Sequence, residues 1–149
     1  MGLQCRSIRM DYDVLRQQVS AVNQAFYDRI YRDPWLRQIF QVVTQEHIVR
    51  QQTDFMVGAF GGPKTYCGRS PSDAHPHINV TEEMWQLRET YLKEAFLQTQ
   101  FPADLSARWL KIDEAFKHAI VKKSADECQK RYFTDTVIDV PQPRVKLAR

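Results

Sequence analysis

The sequence has no long apolar run, and this absence excludes a helix that spans a membrane. No apolar stretch approaches the roughly 20 residues that such a helix needs. Residues 1–6, Met-Gly-Leu-Gln-Cys-Arg, also lack the apolar stretch of a secretory signal. We therefore expect a cytoplasmic protein that does not bind membranes.

Cysteine is scarce, and the three residues present are far apart. Cys5, Cys67 and Cys128 do not have the spacing of a metal site. Free thiols in a reducing compartment explain them adequately.

Net charge is also low once the end of the chain is set aside. The formal net charge is +3, and Arg144, Lys146 and Arg149 all follow the last acidic residue, Asp139. Without these three, 18 basic residues balance 18 acidic ones. A nucleic-acid-binding protein normally has a basic face on its folded body, so we expect no nucleic-acid partner.

What the sequence does contain is the apolar spacing of amphipathic helices. Apolar residues at intervals of three and four predict a first helix over 11–32, on the stripe Leu15, Val19, Val22, Phe26 and Ile30. Asp33-Pro34 then predicts a helix cap and a short helix that carries residues 35–40.

Three further helices follow in the same way. Thr44 predicts the start of a helix that ends at Gly61-Gly62-Pro63, with an inward side of Ile48, Gln52, Phe55, Met56 and Ala59. Thr81 predicts the start of a long helix lined by Met84, Leu87, Tyr91 and Phe96. The last helix is lined by Leu105, Trp109, Ile112, Phe116 and Ile120.

The whole pattern predicts an all-α body. Residues 64–80 are irregular, with a short helical turn near 72–75. We expect an N-terminal extension over 1–10, the body over 11–132, and a flexible C-terminal tail over 133–149. Within the tail, residues 136–140 are the one stretch with a pattern that suggests a short extended segment.

Two residues are unusual for a plain helical bundle. Gln52 lies on an apolar helix face, where an unpartnered buried amide costs about 1 to 3 kcal/mol. His75 lies in a Pro-flanked segment between two strong helices, which suits the presentation of an imidazole. A lone histidine is more often structural or exposed, and a glutamine often bonds a neighbouring backbone, so neither is specific alone.

In order along the chain, these residues and their neighbours resemble a truncated haemoglobin over about residues 12–121. The runs that are similar to its first core helix and corner are Phe26-Tyr27-Asp28-Arg29-Ile30, Asp33-Pro34 and Phe40. Those similar to its distal helix, Gly-Gly loop, Tyr-x-Gly turn and proximal histidine are Gln51-Gln52, Phe55, Gly61-Gly62-Pro63, Tyr66-Cys67-Gly68-Arg69 and Ala74-His75. The resemblance implies a globin-like sandwich of two helices on two around a haem.

The resemblance also implies the residues of the haem site. His75 is the implied iron ligand, since a ferrous haem needs one strong neutral nitrogen. Tyr27 and Gln52 correspond to distal hydrogen-bond donors, with Ile48 over the iron. The remaining implied haem contacts are Phe40, Phe55, Tyr66, Val80 and Trp85, of which Tyr66 lies near a propionate. The sequence contains no Cys-x-x-Cys-His segment, so we expect haem b held without covalent attachment.

Three other histidines provide alternatives. His77 follows Pro76 and does not match the family's histidine position, so we expect it at the surface and keep it as an alternative ligand. His47 adjoins the distal helix face and would approach the iron in another helix register, although a surface position is the plainer interpretation. His118 lies off the apolar stripe of the last helix and is expected at the surface.

The chain departs from the family pattern in two places. Leu15-Arg16-Gln17 stands where members usually have a Gly-Gly pair, so the first helix can be continuous. Arg88 falls where members commonly place Val or Trp towards the haem. A charge there is costly unless it reaches a propionate or solvent, and the alternative is a shift of register.

The function that the resemblance implies is reversible binding of O2, CO and NO, as in oxygen transport, by a monomer or weak homodimer. With a reductase partner, the chain would oxidise nitric oxide to nitrate, or show peroxidase-like side activity. No flavin or nicotinamide site is present in the sequence, so electrons must come from outside. The alternatives are a haem-based gas or redox sensor, suggested by the basic tail, and a haem-free interaction module, suggested by Arg88.

Overall fold

The computed structural model describes residues 10–143, and α-helices make up most of them. The five α-helices are α1 Tyr12–Arg32, α2 Gln45–Ala59, α3 Pro71–Ala74, α4 Glu82–Gln98 and α5 Ala103–Ile120. Two 3₁₀ helices span Leu36–Phe40 and Ala125–Glu127. Extended pairing within residues 10–143 is limited to two isolated bridges, Ile78 with Ile138 and Val80 with Val121. The predicted all-α class is therefore confirmed.

Local signals start the helices where they were predicted. The hydroxyls of Thr44 and Thr81 each accept a hydrogen bond from the backbone N–H three residues later, at 3.2 Å. A carboxylate oxygen of Asp33 accepts two backbone N–H groups at 2.8 Å each and begins the 3₁₀ helix. α1 is unbroken from Tyr12 to Arg32, in keeping with the missing Gly-Gly pair.

Two glycines end α2 for different reasons. Gly61 has a φ of +92°, a left-handed conformation that strains any residue with a Cβ. At Gly62 the reason is space, because a Cβ would lie 2.7 Å from Cγ1 of Val57 and 2.9 Å from the ring of Tyr12. The pair lets the chain turn tightly where α2 meets the start of α1.

α1 is the central helix of the fold, packing against both α2 and α4. Its predicted stripe, from Leu15 to Ile30, is buried throughout. Ion pairs connect α4 to its neighbours: Arg29–Glu94 with α1, and Arg88–Asp113 and Glu82–Lys117 with α5. The result is a two-on-two arrangement, with α1 and α2 on one side and α4 and α5 on the other. No helix among the described residues is long and apolar enough to cross a membrane.

α2 has two inward faces instead of the single one predicted. One face is buried and includes Thr53, whose hydroxyl accepts a hydrogen bond from Asn23 of α1 at 3.1 Å. The other carries Ile48, Gln52 and Phe55 towards a cavity. The prediction for Ala59 was wrong, because this last residue of α2 extends beyond the cavity and is exposed.

The chain after α5 is bound to the body of the protein. The backbone N–H of Ile138 donates to the carbonyl of His77, and its carbonyl accepts from the N–H of Asn79, both at 2.8 Å. Trp35 Nε1 donates to the carbonyl of Val140 at 3.3 Å. These bonds join residues 138–140 of the predicted tail to the body, in an extended segment of the kind suggested for 136–140. The rest of that tail, 144–149, and the extension over 1–9 lie outside the described residues.

Candidate functional site

A cavity of about 420 Å³ lies between the two helix pairs. Its volume is within the range of cofactor and ligand pockets. All nine residues assigned to the site from the sequence line it: Tyr27, Phe40, Ile48, Gln52, Phe55, Tyr66, His75, Val80 and Trp85. They come from α1, the first 3₁₀ helix, α2, α4 and the segments between them, so the tertiary fold brings them together.

His75 follows α3 directly, and its ring has a defined orientation. Nδ1 lies 2.7 Å from the carbonyl oxygen of Pro71. Since a carbonyl can only accept, Nδ1 donates its proton there and Nε2 keeps its lone pair. Burial lowers the pKa of His75 to about 4, with smaller contributions in the same direction from Lys122 and Arg88. The imidazole is therefore neutral at pH 7, the form that binds a metal.

Lys122 fixes the segment that carries His75. Its Nζ donates to the carbonyls of Ile78 at 2.6 Å, His75 at 2.8 Å and Ile120 at 3.0 Å. These three bonds use all three N–H donors of the ammonium group. Lys122 could not be predicted from the sequence, because its partners are backbone atoms, which leave no signal in residue type.

The wall formed by α1 and α2 presents hydrogen-bond donors to the cavity. The ring of Tyr27 packs edge-on against Phe26 and Phe40, with centroids 4.9 and 5.8 Å apart. Within residues 10–143, neither the Tyr27 hydroxyl nor the Gln52 amide has a hydrogen-bond partner. Burial raises the pKa of Tyr27 well above its ordinary value, so the phenol keeps its proton and remains a donor.

Aromatic rings form another part of the lining. Phe55 contacts Tyr66 edge-on at 5.3 Å between centroids. The Tyr66 hydroxyl donates to the carbonyl of Arg69 at 2.6 Å, so its proton is already used within the turn. A propionate can only accept hydrogen bonds, so Arg69, which also lines the cavity and stacks on Tyr132, suits it better than Tyr66.

The remaining histidines divide into two groups. His47 and His118 are exposed, which confirms the predictions for both. The surface position predicted for His77 was wrong, because this residue is only 7% exposed and lines the cavity. The backbone pairing of residues 77–79 with Ile138 covers it, a contact between segments that are far apart in the sequence. Its Nδ1 has no partner among the described residues, so the ring lacks the fixed tautomer of His75.

Arg88 also lines the cavity, without any shift of the α4 register. Its Nη1 lies 3.0 Å from a carboxylate oxygen of Asp113 on α5. Its guanidinium carbon lies 4.8 Å from the ring centroid of Trp85 and 5.4 Å from that of Phe26. Asp113, a residue that sequence analysis missed, therefore balances the charge that a propionate or solvent was expected to balance.

This donor set suits haem better than a bare metal ion. Among residues 10–143, no group of three or more His, Cys, Asp or Glu side chains could hold a metal ion. One neutral imidazole is sufficient for an iron that a porphyrin already holds. Apolar and aromatic walls fit the faces of such a ring, and Arg69 fits its carboxylate edge.

The helix arrangement and the cavity define a globin of the truncated, two-on-two class. The family model of bacterial-like globins matches residues 12–122. The chain belongs to the bacterial-like globin family.

Curated relatives agree with this assignment over part of the chain. Group 1 truncated hemoglobins from Tetrahymena pyriformis and Tetrahymena thermophila are each 33% identical to it over 55 residues. The aligned stretch is 37% of this chain and 46% of each relative. The chain therefore matches slightly less than half of the length of these relatives.

Solved structures show the same fold. Two single-residue variants of the truncated hemoglobin from Tetrahymena pyriformis, both in the Fe(III) form, superpose with a TM-score of 0.63. Sequence identity is 22% and 21%, and each match covers 70% of this chain and 90% of the other. At this identity the likeness supports the fold alone.

Proposed function

We propose that this protein binds one b-type haem without covalent attachment and uses it to bind O2 and other diatomic gases reversibly. Membership of the globin family implies haem-based gas binding in general. The observation that carries the proposal for this chain is the composition of its cavity. A neutral imidazole with a fixed tautomer, that of His75, lines this cavity. Tyr27 and Gln52 line it too, and neither donor has a partner among residues 10–143.

On the proximal side, His75 would hold the group. When bound, haem supplies an iron that takes a protein nitrogen and a gas. The Nε2 lone pair of His75 is available because Nδ1 donates to Pro71. Lys122 restrains the same segment through the carbonyls of His75 and Ile78. Together these bonds orient the ring before haem enters.

On the distal side, Tyr27 and Gln52 would bind the gas. O2 gains partial negative charge in a haem complex and accepts hydrogen bonds, whereas CO gains much less. Tyr27 keeps its proton because burial raises its pKa. Both donors lack partners among residues 10–143, so no internal bond has to break before they engage a ligand.

The test of the proposal is a titration of the apoprotein with haem, followed by absorption in the Soret region. We expect saturation at about one haem per chain, because the cavity that contains His75 would hold a single haem. Acid–acetone extraction should then release the haem, since covalent attachment through Cys-x-x-Cys-His is not available in this sequence. Titration without saturation contradicts haem binding, and a haem-sized mass increase under denaturing conditions contradicts the b type.

Oxidation of nitric oxide to nitrate by O2 is a second use of the same pocket. It is favoured by Tyr27 and Gln52, the two donors proposed to bind O2. This use consumes electrons, and we propose that a reductase partner supplies them. Consumption of nitric oxide by the oxygenated protein, sustained only when a reductase is added, would support this use. A haem-free module is less favoured than a haem protein, because Asp113 balances the charge of Arg88.

A further inference from the structure

Arg88 places a permanent charge in a cavity that otherwise has mainly apolar and neutral walls. Its side chain is 28% exposed, and that of its partner Asp113 is 14% exposed. Both line the cavity that also contains Tyr27 and His75. Charges cost free energy to remove from water, and replacing a buried ion pair by apolar side chains of similar volume is often neutral or stabilising. The pair is therefore unlike the rest of the cavity wall.

The guanidinium of Arg88 has donors left over. An arginine has five N–H donors in a fixed fork, and the bond to Asp113 uses the Nη1 side. Among residues 10–143, no other carboxylate pairs with Arg88. The rings of Trp85 and Phe26 hold the guanidinium by stacking and offer it no further acceptor.

Arg88 and Tyr27 pack against the same ring, that of Phe26. Its centroid lies 5.4 Å from the guanidinium carbon of Arg88 and 4.9 Å from the centroid of the Tyr27 ring. Burial is the main reason that the pKa of Tyr27 is raised, and Arg88 and Asp113 act on the same hydroxyl in opposite directions. Tyr27 is therefore a neutral donor beside a cationic donor. Gln52 of α2 lines the same cavity, which therefore offers N–H and O–H groups that lack acceptors among the described residues.

We propose that Arg88, acting with Tyr27, strengthens the binding of small monovalent anions in the cavity through its charge and its remaining N–H donors. The inference rests on the proposed haem, which supplies the position where the ligand binds. The ligand class is the small inorganic anion that coordinates ferric iron, for which fluoride and azide are the probes. Asp113 weakens this binding, because its negative charge opposes that of the incoming anion.

The experiment measures fluoride and azide affinities of the ferric haem-loaded protein by absorption titration, with CO affinity of the ferrous form as the uncharged comparison. Arg88→Met should weaken both anions by roughly ten- to a hundredfold, the effect of losing one charge-assisted hydrogen bond. CO affinity should change by less than about threefold, because CO carries little charge. Arg88→Lys, which keeps the charge, should retain part of the anion affinity.

Asp113→Asn gives a prediction of opposite sign. It removes the opposing charge and keeps a similar shape, so azide affinity should rise several-fold above that of the wild type. If the ion pair were purely structural, azide affinity would fall in Asp113→Asn, as in Arg88→Met, because either substitution would loosen the packing of α4 on α5. Arg29→Met is the matched control, because Arg29 forms an interhelical ion pair with Glu94 away from the cavity. It should leave every affinity unchanged.

The haem titration of each variant separates the two proposals. If the wild-type chain fails to bind haem, the proposed function is wrong and the role of Arg88 in anion binding is wrong with it. If haem binds and Arg88→Met keeps wild-type azide affinity, or loses azide and CO affinity equally, only the role of Arg88 in anion binding is overturned. The expected result is that Arg88→Met loses anion affinity but keeps CO affinity, and that Asp113→Asn gains azide affinity.

Discussion

At the scale of single residues, the bond from His75 Nδ1 to Pro71 decides which nitrogen remains for a metal. A histidine without such a partner can present either nitrogen, and its ring can rotate. His77 is in that situation, with Nδ1 lacking a partner among the described residues. Two histidines of one cavity thus differ in orientation before any cofactor binds, and the difference favours His75.

Tyr27 and Gln52 allow a prediction at the same scale. Tyr27→Phe or Gln52→Leu removes a donor and keeps most of the side-chain volume. Each should speed O2 release by roughly ten- to a hundredfold, because a hydrogen bond to a charged partner contributes about 1 to 3 kcal/mol. CO release should change far less. Stopped-flow measurements with both gases test this.

His47→Ala is the control for the distal assignment. His47 is exposed and does not line the cavity, so its removal should leave O2 release unchanged. Faster release in His47→Ala, with Tyr27→Phe unaffected, would contradict the assignment of Tyr27 as the distal donor.

At the scale of elements, the segment between α3 and α4 depends on the chain that follows α5. Lys122 bonds to the carbonyls of His75 and Ile78, and Ile138 pairs with the backbone of residues 77–79. The segment that carries the proposed iron ligand is too short to be stable by itself, because α3 is a single helical turn. Its order comes from contacts distant in sequence.

Lys122→Met tests this dependence. The variant leaves carbonyls of His75, Ile78 and Ile120 without their donor, and should lower the free energy of unfolding by about 2 kcal/mol or more. Haem transfer to an excess of another apoglobin should become roughly tenfold faster, because partners behind a metal ligand typically contribute that much. Lys123→Met is the control, since the Lys123 side chain is exposed. Equal haem transfer rates in wild type and Lys122→Met would contradict the role of Lys122.

At the scale of the whole molecule, features that depend on residues nearby in the sequence could be predicted, and those that depend on distant residues could not. The caps at Asp33, Thr44 and Thr81 depend on atoms two or three residues away, and all three were predicted. The nine residues of the site share a cavity as the family resemblance implied. Their roles towards haem remain predictions.

The features that were missed depend on partners far along the chain. Asp113 lies 25 residues from Arg88 and on another helix, so nothing near Arg88 indicates its partner. His77 is paired through its backbone with Ile138, and the Lys122 ammonium group bonds to three backbone carbonyls. Periodicity reports which face of a helix is apolar, but it does not report which distant segment covers a loop.

The central claim is that His75 binds the iron of a haem in this cavity, and haem titration of His75→Gly beside His77→Gly tests it most directly. Removing a residue that hydrogen-bonds a metal ligand typically lowers affinity by roughly 10- to 100-fold. His75→Gly removes the ligand itself, so its haem affinity should fall by more than that. Added imidazole should restore binding, because it replaces the missing nitrogen. His77→Gly should keep haem affinity near that of the wild type. Wild-type haem affinity in His75→Gly, or loss of haem in His77→Gly alone, would contradict the claim.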